Sequence, residues 1–407
     1  MWCSICPFMI YGEVVQRWQQ ARGAVLRKWP VKQLETYGGW FLFSLFYAIL
    51  VWEEVWNLEN TAYLSSWLLL LITTGAMVGS ALFERRVWCR YLCPIGGMNG
   101  LYSKLALTEI RASKGVCDSE CDTYHCYKGG PAEGKGQATN GCPLHTHPAS
   151  LKDNRDCVLC MTCLKACPHE SVQLNLRAPG VDFGYPFLFP VPGTSSAPQH
   201  QPYAHEVALL FLLMGANVCH HIPEVLRQLG WDADSISHAL HDKGSHIALS
   251  LAALAAPGVI IFLFDSFAQL IHKLLYPRSL APRNFIDISY AYLPLVWLGS
   301  LAHYEDLGLT EAGRVLPLMA KTAHYFLPDL GSLIRPVGEL LTTVENKAPT
   351  LTASNDVVAF LQGSTLLAGV AMSSLLLQKL GRQHWSAWMH QALMLLLTAE
   401  YWSIIIN

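Results

Sequence analysis

Charged residues are scarce in this sequence: Asp, Glu, Lys and Arg make up 14% of its 407 residues, whereas a soluble domain has about 25%. Hydrophobic residues make up 52%, which predicts membrane-spanning segments. The formal net charge is −2, so bulk charge gives no attraction for nucleic acid. We therefore expect an α-helical polytopic membrane protein that does not bind nucleic acid.

Apolar runs predict about seven transmembrane helices, at about 40–52, 62–83, 203–219, 246–271, 286–302, 355–378 and 385–406. The first run reaches the roughly 20 residues that a bilayer requires only when Tyr37 and Trp56 are counted as interface anchors. Basic residues precede the first run and follow the second, but none lies between the two. The positive-inside rule then places the N-terminus and residues 84 onward in the cytoplasm.

Cysteine, by contrast, is abundant, and eight of the 13 cysteines lie between residues 117 and 167. Residues 157–168 have the spacing C-x2-C-x2-C-x3-C-P, which bacterial ferredoxins use to bind [4Fe–4S] clusters. Zinc ribbons instead use two separated C-x2-C pairs. The spacing therefore favours iron–sulfur over zinc and predicts a small α+β two-cluster ferredoxin-like domain inserted on the cytoplasmic side.

The eight cysteines are enough for two four-cysteine sites. If the fourth ligands are exchanged, as in two-cluster ferredoxins, one cluster has the ligands Cys117, Cys121, Cys126 and Cys167. The other then has Cys142, Cys157, Cys160 and Cys163. Two clusters held close together suit the transfer of single electrons, although a purely structural pair is the alternative.

Four further cysteines lie at the predicted cytoplasmic edge of the membrane, in the motifs Cys3-x2-Cys6-Pro7 and Cys89-x3-Cys93-Pro94. These thiols can hold a third [4Fe–4S] cluster or form a reactive thiol pair. They can also be structural cysteines at tight turns that end in proline. Sequence spacing does not decide among the three interpretations, because the two motifs lie on separate spans.

Residues 90–97 (RYLCPIGG), followed by the ferredoxin-type segment, resemble the NapH/NosR-type membrane polyferredoxins over about residues 1–185. The first motif departs from that family, with x2 where the family usually has x3. The resemblance implies quinol-linked electron transfer to periplasmic reductases, or a role in maturing metalloenzymes. It also implies the inner membrane of a bacterium and, as partners, other subunits of a membrane complex.

Ionisable residues at membrane depth in the second half suggest function by default. Asp265 and His390 lie toward the predicted cytoplasmic face. Oxidation of a quinol releases two protons, which a carboxylate or an imidazole can accept, so these two residues are predicted to act catalytically in a quinone pocket. The alternative is that Asp265 only forms a hydrogen bond to a neighbouring helix.

Two histidines toward the predicted outer face, His303 and His324, share a local pattern in which Leu-Pro-Leu leads to Ala-His-Tyr. Paired membrane histidines can be the axial ligands of a b-type haem. The alternative is that both are interface histidines, because an amphipathic ring suits that depth.

The sequence thus predicts five parts: a cytoplasmic N-terminal segment (1–36), two transmembrane helices (37–83), the iron–sulfur domain (84–185), a linker (186–202), and a five-helix membrane domain (203–407) with an outer segment (303–354). The leading hypothesis is electron relay between a membrane quinone pool and a redox partner through two cytoplasmic [4Fe–4S] clusters, as a quinol dehydrogenase-type subunit. The alternatives are an assembly or redox-sensing factor for a partner metalloenzyme, and an accessory subunit of a larger complex.

Overall fold

The computed structural model describes residues 2–130, 136–183, 201–275, 284–326, 352–381 and 386–406. The chain divides into two compact units. The first unit contains Met1–Leu293 and Ser373–Gln391, and the second contains Pro294–Met372 and Ala392–Asn407. The predicted linker lies almost wholly outside the described residues, as does much of the predicted outer segment.

Three helices precede the cysteine-rich segment: α1 (Pro7–Ala21), α2 (Val31–Trp56) and α3 (Ala62–Leu82). Helix α2 ends where Asn57 adopts a left-handed conformation with φ 50°, a common way to terminate a helix. Helix α1 packs closely against α3. The approach requires glycine at position 12, because a Cβ there would lie only 2.6 Å from Ser80 Oγ. The predicted cytoplasmic N-terminal segment therefore contains a helix that is held against the second candidate span.

The cysteine-rich segment begins with a π-helical turn (Trp88–Leu92) and helix α4 (Pro94–Tyr102). Strands β1 (Thr108–Ala112) and β2 (Val172–Leu176) pair antiparallel, with Thr108 opposite Leu176. Between them lie the short helices α5 (Lys114–Ser119), α6 (His125–Lys128) and α7 (Thr162–Ala166). The segment thus combines short helices with a strand pair, whereas its likeness to ferredoxins stays a prediction.

The first unit continues with α8 (Ala204–Cys219), α9 (Ile222–Gln228), α10 (Ala233–His241), α11 (Lys243–Leu275) and α12 (Phe285–Ser289). Most side chains of α8 are buried, and α11 packs antiparallel to it. A Cβ at Gly215 of α8 would collide with the backbone of Leu254, and one at Gly258 of α11 would lie 3.1 Å from Phe211. Glycine at these two positions lets the helices approach closely.

The remaining helices are α13 (Leu293–Glu311), α14 (Val315–Phe326), α15 (Asn355–Leu380) and α16 (Ser386–Ile405). Within the second unit, α15 packs on α13 through two hydrogen bonds. Gln362 Nε2 donates to the carbonyl oxygen of Ala302 at 3.0 Å, and Thr365 Oγ1 donates to Glu305 Oε1 at 2.7 Å. These two hydrogen bonds connect polar side chains of α15 to α13 within the apolar helix pair.

Among the described residues, five helical segments are long and apolar enough to cross a membrane: Val31–Trp56, Ala62–Leu82, Lys243–Leu275, Phe285–Arg314 and Asn355–Leu380. Helices α8 and α9, bent by 77°, make a sixth if they count as one span. Helix α16 covers the seventh predicted run but contains His390, Gln391 and Glu400, which lower its hydropathy. The structure is thus mostly helical and compatible with a polytopic membrane protein, while the number seven and the domain boundaries stay predictions.

Candidate functional sites

Four cysteines from the two membrane-edge motifs come together in a group that we call site A: Cys3, Cys6, Cys89 and Cys93. Burial and the neighbouring Cys3 and Cys6 thiolates raise the pKa of Cys93 to about 11, although backbone N–H groups of Gly96 and Ile95 oppose the rise. Burial is also the main reason that the pKa of Cys89 rises to about 12. The structure therefore joins two motifs that are more than 80 residues apart in the sequence.

Side chains of flanking residues hold site A together. Arg86 Nη1 donates a hydrogen bond to the carbonyl oxygen of Cys3 at 2.8 Å, and the same guanidinium pairs with Glu13 of α1. Asn99 Nδ2 of α4 donates to Cys3 Sγ at 3.5 Å. These contacts fix the Cys3 loop, which precedes α1, against the segment that follows α3.

Site B contains four cysteines that line one pocket: Cys142, Cys157, Cys160 and Cys163. The residues on either side of Cys160, Leu159 and Met161, are left-handed with φ 54° and 60°. The N–H of Leu159 is hydrogen-bonded to the Cys157 thiol, and the N–H of Thr146 donates to Cys142 Sγ at 3.5 Å.

Site C contains Cys117, Cys121, Cys126 and Cys167. Burial and the thiolates of the other three cysteines raise the pKa of Cys126 to about 12. The Ser171 hydroxyl lies 3.4 Å from Cys117 Sγ and 3.5 Å from Cys167 Sγ. Burial would raise the pKa of Cys167, but hydrogen bonds from Ser171, His169 and Val172 lower it below the ordinary value.

The two groups of four in sites B and C are those that the sequence predicts. Cys142 lies with the later triplet and Cys167 with the earlier one, so the exchange of fourth cysteines is present in the fold. The Cys126 thiolate also contributes to raising the pKa of Cys163, so sites B and C are neighbours. Whether these cysteines bind iron stays a prediction.

The donor sets of the three sites suit a four-iron cluster. Within the described ranges, no three His, Cys, Asp or Glu side chains are close enough to share a single metal ion. Four cysteine thiolates are the usual ligand set of a [4Fe–4S] cluster. Four thiolates in mutual electrostatic reach also repel one another, and a metal centre that binds them in deprotonated form relieves this repulsion.

A buried hydrogen-bonded group in the first unit contains both residues of the predicted quinone pocket. His390 Nε2 lies 2.9 Å from Asp265 Oδ1, and the two side chains are 0% and 2% exposed. The Tyr292 hydroxyl lies 2.8 Å from His390 Nδ1, and Gln269 Nε2 donates to Asp265 Oδ2 at 2.5 Å. The structure thus brings together residues that are 125 positions apart, and it adds Tyr292 and Gln269, which the sequence analysis missed.

The two predicted haem ligands give a different result. His303 lies in α13 with its ring next to that of Tyr304, the centroids 4.8 Å apart. His324 lies in α14, but its side chain lies outside the described residues. The pairing of the two side chains therefore falls outside the described residues, and the haem stays a prediction.

A buried charged cluster, which we call the Glu206 network, links the cysteine-rich segment to α8. Lys104 Nζ lies 2.7 Å from Asp153 Oδ2 and 3.3 Å from Glu206 Oε2. Arg155 Nη1 donates to Glu206 Oε1 at 2.7 Å, and the Tyr290 hydroxyl donates to Glu206 Oε2 at 2.6 Å. Burial alone would raise the pKa of Asp153, but the charges of Lys104 and Arg155 bring it to about 2.

Sequence reasoning missed this network because its members are far apart in the sequence and follow no motif. The one local sign was Glu206, a carboxylate at the beginning of an apolar run, where an isolated charge would be costly. That sign indicates a partner without identifying it.

Comparison with known proteins points to a class of protein. The family described as a 4Fe-4S binding domain matches residues 1–32 and 65–111, which contain every cysteine of site A and none of sites B and C. The chain is also 30% identical over 115 residues to the "Putative electron transport protein YccM" of Escherichia coli (strain K12). That alignment covers 28% of this chain and 28% of the relative. No solved structure matches the chain.

The chain is thus similar in part to a 4Fe-4S binding domain and, over about a quarter of each protein, to a protein described as a putative electron transport protein. The narrower assignment to the NapH/NosR type stays a prediction. So do the inner membrane of a bacterium and the cytoplasmic side of the iron–sulfur domain.

Proposed function

We propose that this protein is a membrane-bound electron carrier that oxidises a quinol and passes its electrons to a redox partner through three [4Fe–4S] clusters. The observation that carries the proposal is the grouping of the cysteines: all except Cys219 fall into three sets of four. When bound, each cluster supplies one-electron exchange. The chain supplies the thiolates and the hydrogen bonds that stabilise their charge.

A third cluster at site A explains the contacts there better than a reactive thiol pair. A thiol pair requires two cysteines, whereas site A gathers four, and Asn99 donates a hydrogen bond to one of their sulfurs. The match to a 4Fe-4S binding domain falls on the same two segments. Site A also lies at the ends of α1 and α3, beside the candidate spans, where electrons from a membrane quinol would enter.

The buried His390–Asp265 pair is suited to receive the protons of the quinol. Removing two electrons from a quinol releases two protons, and His390 is held between a carboxylate and a phenol that fix the orientation of its ring. Because α11 is antiparallel to α8 and Gly258 faces Phe211, Asp265 lies near the beginning of α8. That end of α8 contacts the cysteine-rich segment through Glu206. The proton acceptors and the segment that accepts the electrons would therefore lie at the same end of the first unit.

The proposal is tested by the rate at which a quinol analogue reduces the clusters of the purified, reconstituted protein. Asp265→Asn and His390→Gln should each slow this reduction at least tenfold, because the substituted side chain no longer accepts a proton. Iron content and reduction by dithionite should stay unchanged. Asp242→Asn, an exposed carboxylate that caps the beginning of α11, is the matched control.

Two results would overturn the proposal at different points. If the wild-type clusters are reduced by dithionite but not by the quinol analogue, the protein is an assembly or redox-sensing factor instead. If the analogue reduces the wild type and both variants at the same rate, the His390–Asp265 pair is not the proton acceptor.

A further inference from the structure

Arg90 connects site A directly to site B. It follows Cys89 in the chain, and its Nη1 donates to the carbonyl oxygen of Leu144 at 2.7 Å and to Thr146 Oγ1 at 3.0 Å. Its Nη2 lies 3.4 Å from Asp156 Oδ2. One guanidinium thus joins a site A cysteine to two loops of the cysteine-rich segment.

Both of these loops carry site B cysteines. The backbone N–H of Thr146 donates to Cys142 Sγ at 3.5 Å, so Thr146 contacts Arg90 with its hydroxyl and a site B sulfur with its amide. Asp156 immediately precedes Cys157. A second link supports the first, because the backbone N–H of Arg86 donates to the carbonyl oxygen of Pro143, next to Cys142, at 2.9 Å.

The connection between site A and site C is less direct. Arg85 Nη2 donates to the carbonyl oxygen of Lys128 at 2.8 Å and to that of Tyr127, next to Cys126, at 3.4 Å, but Arg85 itself is four residues from Cys89. Sites B and C, by contrast, pack against each other, because Cys157 and Cys163 of site B share one hydrophobic cluster with Cys167 of site C. The contacts therefore order the sites as A, B and C.

The basic flank that contains Arg90 fits the positive-inside rule, which by itself would explain the charge. An arginine whose only role was to orient the membrane spans would be exposed to solvent. The Arg90 side chain is instead 17% exposed and has three separate partners. Its planar fork suits several simultaneous hydrogen bonds, which a lysine would not reproduce.

We infer that Arg90 is a positioning residue that couples site A to site B, and that site B is the middle station of a three-site relay from the membrane to site C. The inference rests on the proposed function, because it requires clusters at all three sites. Each electron that leaves the quinol would occupy site A, then site B, then site C. The oxidation state of site B would be the same before and after each transfer.

The experiment follows the sites separately by rapid-freeze EPR after the full-length protein in lipid nanodiscs is mixed with a quinol analogue. Spectra of Cys89→Ser and Cys160→Ser assign the signals of sites A and B. In Arg90→Gln, site A should be reduced at the wild-type rate, whereas the reduction of site B should slow at least tenfold. Arg22→Gln, an exposed arginine at the end of α1 whose guanidinium lies over the ring of Trp18, is the control and should stay within twofold of the wild type.

A wild-type rate of site B reduction in Arg90→Gln would overturn the role of Arg90. If that variant loses a cluster, Arg90→Lys replaces it, because lysine keeps the charge near Asp156 but not the paired hydrogen bonds to Leu144 and Thr146. The lysine variant should then slow site B in the same way, and an unchanged rate would again contradict the inference.

The order of the sites has its own test in Cys160→Ser, which removes the site B cluster. Site A should still be reduced by the quinol analogue, and the reduction of site C should slow at least tenfold. If site C is reduced at the wild-type rate, site B is not the middle station. Failure of the proposed function looks different, because the wild-type protein would then lack a cluster at site A or would not be reduced by the quinol at all.

Discussion

Each of the three sites gathers four cysteines, but site A does so in a different way from sites B and C. All eight cysteines of sites B and C lie between residues 117 and 167, where short loops separate them. Site A takes two cysteines from before α1 and two from after α3. Local spacing can therefore determine the partition at sites B and C, whereas site A depends on how α1, α3 and α4 pack.

The contacts around the sulfurs also differ, because they come mainly from the backbone at site B and from side chains at site A. Site B is shaped by its own backbone, with left-handed residues on both sides of Cys160 and amide donors to Cys142 and Cys157. Site A is held by the side chains of Arg86 and Asn99. We expect site A to be lost through substitutions outside the motif, and site B to tolerate such substitutions.

The largest effect is expected for Arg86→Gln. Without the guanidinium, the Cys3 loop loses its hydrogen bond from Arg86, Glu13 of α1 loses its ion pair with Arg86, and site A should lose its cluster. Iron content should fall by about four atoms per chain, and the EPR signals of sites B and C should remain.

Arg111→Gln is the control at the other sites. Arg111 donates a hydrogen bond to Asn154 Oδ1 at 3.3 Å, close to site B, but site B is held by backbone amides. Iron content should therefore match that of the wild type. Equal losses of iron in Arg86→Gln and Arg111→Gln would show that the contrast between side-chain and backbone support is wrong.

The second largest effect is expected for Asp153→Asn, which should lower the stability of the cysteine-rich segment. Because the folded pKa of Asp153 is about 2 and its ordinary value is about 4, its ionised form contributes about 2 kcal/mol to folding. A lowered pKa gives stability that is present above pH 4 and lost as the pH falls toward 2. Asp153→Asn should thus lower the free energy of unfolding by about 2 kcal/mol, equally at every pH from 5 to 8.

Thermal unfolding of the detergent-solubilised protein at several pH values measures this effect. Asp118→Asn offers a carboxylate of the same segment that is outside the Glu206 network, and it should change the midpoint little. A loss for Asp153→Asn that grows or shrinks between pH 5 and 8 would mean that another group titrates with the network.

The smallest effect is expected for Asn99→Leu. The N–H donor to Cys3 Sγ stabilises the more negative, reduced form of a cluster at site A. Its removal should lower the midpoint potential of site A alone, which an EPR-monitored redox titration measures. A shift of the same size at sites B and C would contradict a local hydrogen-bond effect.

The cysteine pattern predicted the groups at sites B and C, including the exchange of Cys142 and Cys167, because ligand spacing is a property of short loops. The sequence also named Asp265 and His390 as a candidate pair, since an ionisable residue within an apolar run stands out, and their catalytic role stays a prediction. Tyr292 could not be found in this way, because a tyrosine in such a run is ordinary. Lys104 and Arg155 were missed since their partner, Glu206, comes from a helix distant in the sequence.

The central claim is that site A holds a cluster as sites B and C do, and anaerobic determination of iron and acid-labile sulfide with EPR of the reduced protein tests it most directly. Three [4Fe–4S] clusters predict about twelve iron and twelve sulfide per chain, with about four of each lost in Cys89→Ser and none in Cys219→Ser. About eight of each in the wild type, unchanged in Cys89→Ser, would contradict the account and leave site A as a group of thiols.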